Sequence, residues 1–202
     1  MRPLNRHTRR LLLTITLLVG ACASAPDPAT VIRTTFTRGI DGYSNILIIS
    51  VAGDYQTRAA FERDLAAAIS RSNVSASPYY TVVGRRPRLT RALIHDAIRN
   101  REFDAVVFTR QKGQEREELA PLRPVGPAFD LFEYDYDELN RDIGIESSRA
   151  HTFVTEVYDT ATQKKVWAID ALSVSKSSAE ELIAEQVATL ASQLHEDGLL
   201  SR

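Results

Sequence analysis

NILIISVAGDYQTRAAFERDLAAAI, residues 45–69, is the stretch that decides the fold. Its first seven residues, 45–51, are a continuous apolar and β-branched run, which is typical of a central strand covered on both faces. A turn through Gly53 and Asp54 follows, and residues 57–70 then place apolar side chains at the spacing of one helix stripe. The stripe comprises Phe61, Leu65, Ala68 and Ile69. The stretch therefore predicts a buried strand followed by an amphipathic helix.

The same alternation continues along the chain. Residues 79–83, YYTVV, are a second β-prone run, and residues 105–109, AVVFT, are a third. Between them Thr90 can cap a helix. The inward residues of this helix are predicted to be Leu93, Ile94, Ala97 and Ile98. Strands that alternate with helices in this order predict a layered α/β unit.

The last part of the chain predicts a hairpin and a closing helix. Residues 151–159 and 165–175 are β-prone runs joined by a turn at 160–164, and the only tryptophan, Trp167, lies on the second run. Ser177 or Ser178 can begin the helix in a capping box. The helix stripe is predicted to be Ile183, Val187, Leu190, Ala191 and Leu194, with Gly198 at the end and Leu199 and Leu200 against the core.

We therefore expect a single α/β domain of mixed α+β character over residues 31–202. Its sheet is expected to be mixed, with about five strands and three helices in the order β-α-β-α-β-insert-β-β-α. Residues 31–37 are also β-prone and are a candidate edge strand.

The insert, residues 111–150, interrupts the alternation. It contains three prolines and the acidic aromatic run FDLFEYDYDEL at 129–139, and residues 111–146 include ten acidic and four basic side chains. A loop of this length inside a compact domain is uncommon and is often functional or mobile. Its partner-binding candidates are Phe129, Phe132, Tyr134 and Tyr136. Exposed, these aromatics would anchor a protein interface, and buried, they would cover the sheet, so both interpretations stay open.

Residues 1–21 have the form of an export signal. Four arginines without an acidic residue precede the ten-residue run LLLTITLLVG at 11–20, which is too short to cross a bilayer as a helix. The sequence TRRLLL at 8–13 loosely resembles a twin-arginine signal, but the ordinary export route is favoured. Residues 23–30, ASAPDPAT, are small and polar, and with Cys22 they form the segment 22–30 that reads as a flexible tether.

A segment near the N-terminus resembles the bacterial lipobox: Val19, Gly20 and Ala21 precede Cys22. Cys22 is the only cysteine of the 202 residues. The resemblance implies that the Cys22 thiol is acylated, that the leader is cut before it, and that Ala23 at the next position directs the protein to the outer membrane. Two or three acyl chains anchor a protein stably. The alternative is an ordinary signal peptide with an incidental cysteine. We expect a lipid-anchored protein on the periplasmic face of the outer membrane.

Composition excludes some classes of partner and chemistry. Without residues 1–21 the chain has 21 basic and 26 acidic residues, a formal charge of −5, and this gives no general reason to expect nucleic acid. Acylation of Cys22 would leave no thiol for a disulfide. The sequence shows no close His/Cys cluster, no HExxH and no GxSxG, GxGxxG or P-loop motif. We expect no cofactor, no metal and no catalytic residue.

Two charged stretches carry weaker hypotheses. Residues 135–146 match an EF-hand loop at its first, third and last positions but fail at Leu139 and Asn140, so a solvated acidic loop is favoured over calcium. Arg85, Arg86 and Arg88 precede a predicted helix N-terminus, where free N–H groups favour an anion. The other interpretations are a solvated loop, or one that pairs with the acidic insert of its own or a neighbouring chain.

Beyond the leader, the chain resembles a group of bacterial envelope proteins. The group comprises the curli-secretion lipoprotein family, the lipoprotein activators of peptidoglycan synthases and the N-terminal domain of the Tol-system propeller protein. The likeness is carried by residues 45–69, by REFDAVVFTR at 101–110, by EVYDTATQKKVWAIDA at 156–171 and by the last helix ending in GLL. It implies the same fold and compartment, with Val166 and Trp167 on the second strand of a hairpin. Residues 111–150 lack the long alternating strands of a membrane-spanning hairpin, which puts pore formation in doubt.

The favoured function is a non-enzymatic module that docks an envelope partner, or itself, during envelope assembly. One alternative is an oligomeric component of a secretion system. Another is a periplasmic hydrolase whose catalytic residues are dispersed along the sequence.

Overall fold

The computed structural model describes residues 30–36, 42–51, 54–84, 88–112, 150–174 and 178–201. The strands are β1 (Thr30–Phe36), β2 (Asn45–Ser50), β3 (Ser75–Pro78), β4 (Ala105–Lys112), β5 (Ala150–Asp159) and β6 (Lys164–Val174). The helices are α1 (Tyr55–Ile69), α2 (Tyr79–Val83), α3 (Arg91–Arg101) and α4 (Ala179–Glu196). The mixed α/β class predicted from the sequence is confirmed.

The strands form one mixed sheet in the order β1-β6-β5-β4-β2-β3. β2 pairs in parallel with both β3 and β4, because helical crossovers on the two sides of the sheet connect them. β4, β5, β6 and β1 pair antiparallel in succession, with β5 and β6 forming the predicted hairpin. The predicted edge strand at the N-terminus is β1.

The central strand β2 alternates its side chains between two apolar layers. Ile46 and Ile48 pack in a cluster with α1 and α4, which includes Leu65, Leu190 and Trp167. Leu47 and Ile49 pack on the other face with residues of α2 and α3. All four β2 side chains are at most 1% exposed. This two-sided burial explains why the sequence of β2 is a continuous apolar run.

Residues 79–83 are helix α2, so their prediction as a strand is wrong. The strand is instead β3, four residues long, and it ends at Pro78, which has no N–H for the ladder. Beyond it, the Tyr80 N–H donates to the side chain of Glu62 on α1 and the Thr81 hydroxyl donates to the Pro78 carbonyl. These tertiary and local bonds override the β propensity of the run.

The helix caps were predicted more accurately than the helix stripes. Thr90 caps α3 by accepting the Leu93 N–H, and Ser178, the second of the two candidates, caps α4 by accepting the Glu181 N–H. On α1, however, Ala68 is exposed and Ala66 is buried, and on α3 Leu93 is 38% exposed. Leu199 and Leu200 are buried as expected.

The edge of the sheet at which β2 begins is closed by a dense set of hydrogen bonds, and we call it the closed edge. The Asp104 carboxylate accepts the backbone N–H groups of Ser44 and Asn45 at 2.8–3.1 Å. The chain end returns here, because the Tyr43 N–H donates to the Leu199 carbonyl. The Trp167 Nε1–H donates to Asp197 at 2.7 Å, which ties β6 to the end of α4.

No helix within the described ranges is long and apolar enough to cross a membrane.

Candidate functional site

Several buried polar side chains lie at the opposite edge of the sheet, which we call the polar edge. It is the edge at which β2, β3, β4 and β6 end and β1 and β5 begin, as the pairing directions require. Helices α1 and α4 follow β2 and β6, so their N-termini also lie here. Helix α3 begins here too, because its C-terminal carbonyls at Arg101 and Glu102 accept the Asn45 side chain at the closed edge. Ligands of open α/β sheets bind at the carboxyl ends of parallel strands.

Glu62 on α1 is the buried carboxylate of this edge, with 3% of its surface exposed. One oxygen accepts the Ser50 N–H at 3.0 Å and the other accepts the Tyr80 N–H at 3.2 Å. Because Ser50 ends β2 and Tyr80 lies in α2, this single side chain joins three elements. Burial raises the pKa of Glu62 to about 7, against the lowering effect of these backbone N–H groups and of Arg58.

A small cavity of about 20 Å³, room for roughly one water molecule, adjoins Glu62. Its walls include the side chains of Tyr55 and Arg58 on α1 and of Tyr79 and Tyr80 on α2. A cavity of this size is far below the hundreds of cubic ångströms of a typical small-molecule site. The described part of this edge therefore offers contacts at its surface more readily than a deep binding pocket.

A polar seam runs from the strands to α4. The Gln111 amide on β4 lies 3.1 Å from Nδ1 of His151 on β5, and the Gln186 amide on α4 donates to the Ser173 hydroxyl on β6. The Thr109 and Thr155 hydroxyls bond to each other at 2.9 Å. Burial lowers the pKa of His151 and so favours the neutral form of the imidazole.

His151 and Ser173 are cross-strand partners, which makes them the obvious place to look for a dispersed hydrolase. The Ser173 hydroxyl, however, is taken by Gln186, and only 1% of the Ser173 surface is exposed. A nucleophile needs a base within hydrogen-bond reach and access to substrate. The hydrogen bond between Ser173 and Gln186 instead joins β6 to α4.

Glu156 forms a second buried charge cluster, on the face of the sheet opposite α4. Its carboxylate accepts the Tyr158 hydroxyl at 2.8 Å and the Lys165 ammonium at 2.9 Å. Glu156 is 4% exposed, so the Lys165 charge compensates a carboxylate removed from water. No group of three or more histidine, cysteine, aspartate or glutamate side chains within the described ranges could hold a metal ion.

Of the residues proposed from the sequence, the structure describes only Arg88. It is exposed just before α3, and its carbonyl accepts the Tyr79 hydroxyl at 3.4 Å. Arg85 and Arg86 lie outside the described residues, as do Cys22 and the acidic run at 135–146. The four aromatic candidates of the insert, Phe129, Phe132, Tyr134 and Tyr136, lie outside them too. These hypotheses stay predictions.

Sequence reasoning missed Glu62, His151 and Glu156. The signal for Glu62 was present, because it sits beside Phe61 in the apolar stripe of α1 at a position where a charged side chain faces the core. Glu156 and His151 gave a similar signal inside a β-prone run. What the sequence could not supply is the partner of each group, since Glu62 binds backbone N–H groups of β2 and α2.

No protein-family model matches the chain, and no curated protein sequence matches it. Among solved structures, it is similar to the PelC dodecamer from Paraburkholderia phytofirmans, with 11% identity, a TM-score of 0.45 and coverage of 86% of this chain and 99% of that one. A single-substitution variant of that dodecamer gives a TM-score of 0.47. Lipoprotein GNA1162 from Neisseria meningitidis has 14% identity and a TM-score of 0.41, over 75% of this chain and 96% of that one. These likenesses are too low to support an inference about function.

Proposed function

We propose that this protein is a lipid-anchored, non-enzymatic module of the bacterial cell envelope, held at the periplasmic face of the outer membrane through Cys22. The observation that carries the proposal is the sequence Leu-Val-Gly-Ala-Cys at 18–22, with the only cysteine of the chain at the position that acylation requires. The described chain supports it, because β1 begins at Thr30, only eight residues after Cys22.

The anchor is tested by mass spectrometry of the full chain expressed in a bacterial host. The expected result is a mature protein that begins at Cys22 and carries acyl chains, found in the outer-membrane fraction. Cys22→Ala removes the acyl acceptor and is expected to leave the leader uncut by the lipoprotein peptidase. Ser24→Ala, two residues further on, is the matched control. A mature chain that begins elsewhere and carries no lipid would overturn the anchor.

We propose further that the module acts by binding an envelope protein or a second copy of itself through the acidic aromatic insert. Aromatic side chains among acidic ones are typical of interface anchors. β4 extends to Lys112 and β5 begins at Ala150, so the predicted insert is shorter at both ends than 111–150, and both strand ends lie at the polar edge. The likeness to the three envelope families supports the compartment of this proposal.

The test replaces Phe129, Phe132, Tyr134 and Tyr136 together by serine and compares crosslinked partners in whole cells with those of the unchanged protein. Loss of partners with an unchanged melting temperature supports binding by the insert. A lower melting temperature would show that these aromatic side chains pack against the domain, and this result would overturn the binding role. A control that replaces Glu115, Glu117 and Glu118 by glutamine changes charge in the same insert and keeps the aromatics.

A further inference from the structure

The large apolar side chains that stay exposed in the described part of the chain all lie towards one edge of the sheet. They are Val31 and Leu93, each 38% exposed, and Val174, 52% exposed. Val31 is the second residue of β1, Leu93 lies in the first turn of α3, and Val174 is the last residue of β6. All three therefore lie at the polar edge, although they come from different elements.

The anchor enters the domain at the same edge. β1 runs antiparallel to β6, and Thr30 pairs with Leu172, two residues before the end of β6. From Cys22 to Thr30 the chain spans at most about 28 Å, at 3.3–3.6 Å per residue. The ten-residue strand β5 alone separates the two edges by about 30 Å, at roughly 3.4 Å per residue. The tether therefore joins the domain at the polar edge, whereas the closed edge lies about 30 Å further from this attachment point.

Some of the charges at the polar edge are positive and would attract the phosphate headgroups of a membrane. Arg88 and Arg91 are exposed at the start of α3, beside Leu93. The N-termini of α1, α3 and α4 add partial positive charge at this edge. Glu180 and Glu181 in the first turn of α4 and the N-cap Asp54 of α1 are exposed and offset part of it, and the acidic insert joins β4 and β5 at the same edge. The apolar side chains, with the two arginines next to them, are the combination that lies at a membrane interface.

We propose that the polar edge rests on the phospholipid surface, with Val31, Leu93 and Val174 among the headgroups. This docking surface rests on the lipid anchor of the proposed function. It fixes the orientation of the domain, because the closed edge with the β5–β6 turn then points away from the membrane.

Two exposed alanines make a matched pair for the test. Ala92→Cys places a thiol at the polar edge, and Ala161→Cys places one in the turn of the closed edge. Acylation of Cys22 leaves each variant with one free thiol for a fluorophore. The full lipidated chain is inserted into vesicles of phosphatidylcholine and phosphatidylglycerol that contain a nitroxide-labelled lipid. Mass spectrometry of the same sample measures acylation of Cys22.

The expected result is stronger quenching of the label at 92 than at 161. The double variant Leu93→Ser, Val174→Ser is expected to lower quenching at 92 towards the level at 161. The control double variant Ala67→Ser, Ala68→Ser changes two exposed sites on α1 and is expected to leave the quenching at 92 unchanged. Equal quenching at 92 and 161 in an acylated protein would overturn the docking surface and leave the anchor intact. An unacylated protein would instead refute the anchor.

Discussion

Glu62 makes the stability of this protein depend on pH near neutrality. Its pKa is raised by burial from the ordinary 4.5 to about 7, so the folded protein binds this proton more tightly than the unfolded chain does. A carboxyl with a raised pKa contributes stability that is fully present below pH 4.5 and is lost as the pH rises through 7. The free energy of unfolding is therefore expected to fall as the pH rises across this window.

The size of the effect follows from the shift. A difference of about 2.5 pKa units, at 1.36 kcal/mol for each unit, corresponds to about 3 kcal/mol. Glu62→Gln removes the titration and keeps the shape of the side chain. Its amide can accept only one of the two backbone N–H groups well, so the variant also loses about 1–3 kcal/mol at every pH. That constant cost does not obscure the pH dependence.

Urea unfolding from pH 5 to pH 8.5 measures both quantities. The free energy of unfolding of the unchanged protein minus that of Glu62→Gln is expected to be larger at pH 5 than at pH 8.5, by about 2.5 kcal/mol, because part of the effect is already lost at pH 5. Glu180→Gln removes an exposed carboxylate of α4 and controls for the loss of a charge. If the two curves for the unchanged protein and Glu62→Gln run parallel over the whole range, the buried-carboxylate argument is refuted.

Three further substitutions test other parts of the structure. Gly42→Ala is expected to destabilise the protein by more than about 1 kcal/mol, because φ at Gly42 is +44° and an added Cβ would lie 2.9 Å from the Leu200 backbone; Gly198→Ala, with φ +71° and no atom within 4 Å, is the control in thermal unfolding. Asp104→Ala is expected to cost about 1–3 kcal/mol, since the backbone N–H groups of Ser44 and Asn45 at the start of β2 lose their acceptor. Asp96→Ala breaks only an exposed ion pair with Arg99 and is expected to cost less than about 0.5 kcal/mol. His151→Asn is expected to reduce the loss of stability in acid, because a histidine whose pKa is lowered by burial destabilises the fold as the pH falls below 6.5; a variant that loses stability in acid as steeply as the unchanged protein would contradict this.

Elements whose hydrophobic pattern or capping residues lie within one short segment could be predicted from the sequence. The run at 45–51 and the alternation of strands and helices were sufficient for the mixed α/β class. Thr90 and Ser178 were identifiable as caps because an N-cap bonds to an N–H three residues away. Gly198 was identifiable as the residue that follows α4, because helices often end at a glycine in a left-handed conformation. The structure shows that conformation, with φ at +71°.

The elements that sequence reasoning missed depend on partners distant in the chain. Residues 79–83 have strong β propensity, yet α2 forms there because Tyr80 donates to Glu62, 18 residues earlier. Leu93 has the spacing of a buried residue, but it lies in the first turn of α3, where the helix reaches the surface of the polar edge. The seam that joins Gln111 to His151 and Ser173 to Gln186 likewise brings together four elements. No local pattern contains that information.

The two edges of the sheet differ in the groups that they contain. At the closed edge Asp104, Tyr43 and Trp167 bond to partners 30 or more residues away, so this edge joins the chain into one structure. At the polar edge buried groups such as Glu62 and His151 lie next to exposed apolar side chains. β1 begins, β4 ends and β5 begins towards this second edge, so the segments before residue 30 and between residues 112 and 150 connect to the domain there. The exposed large apolar side chains of the described residues lie towards the edge at which the predicted tether enters the domain, and the proposed membrane docking depends on both features.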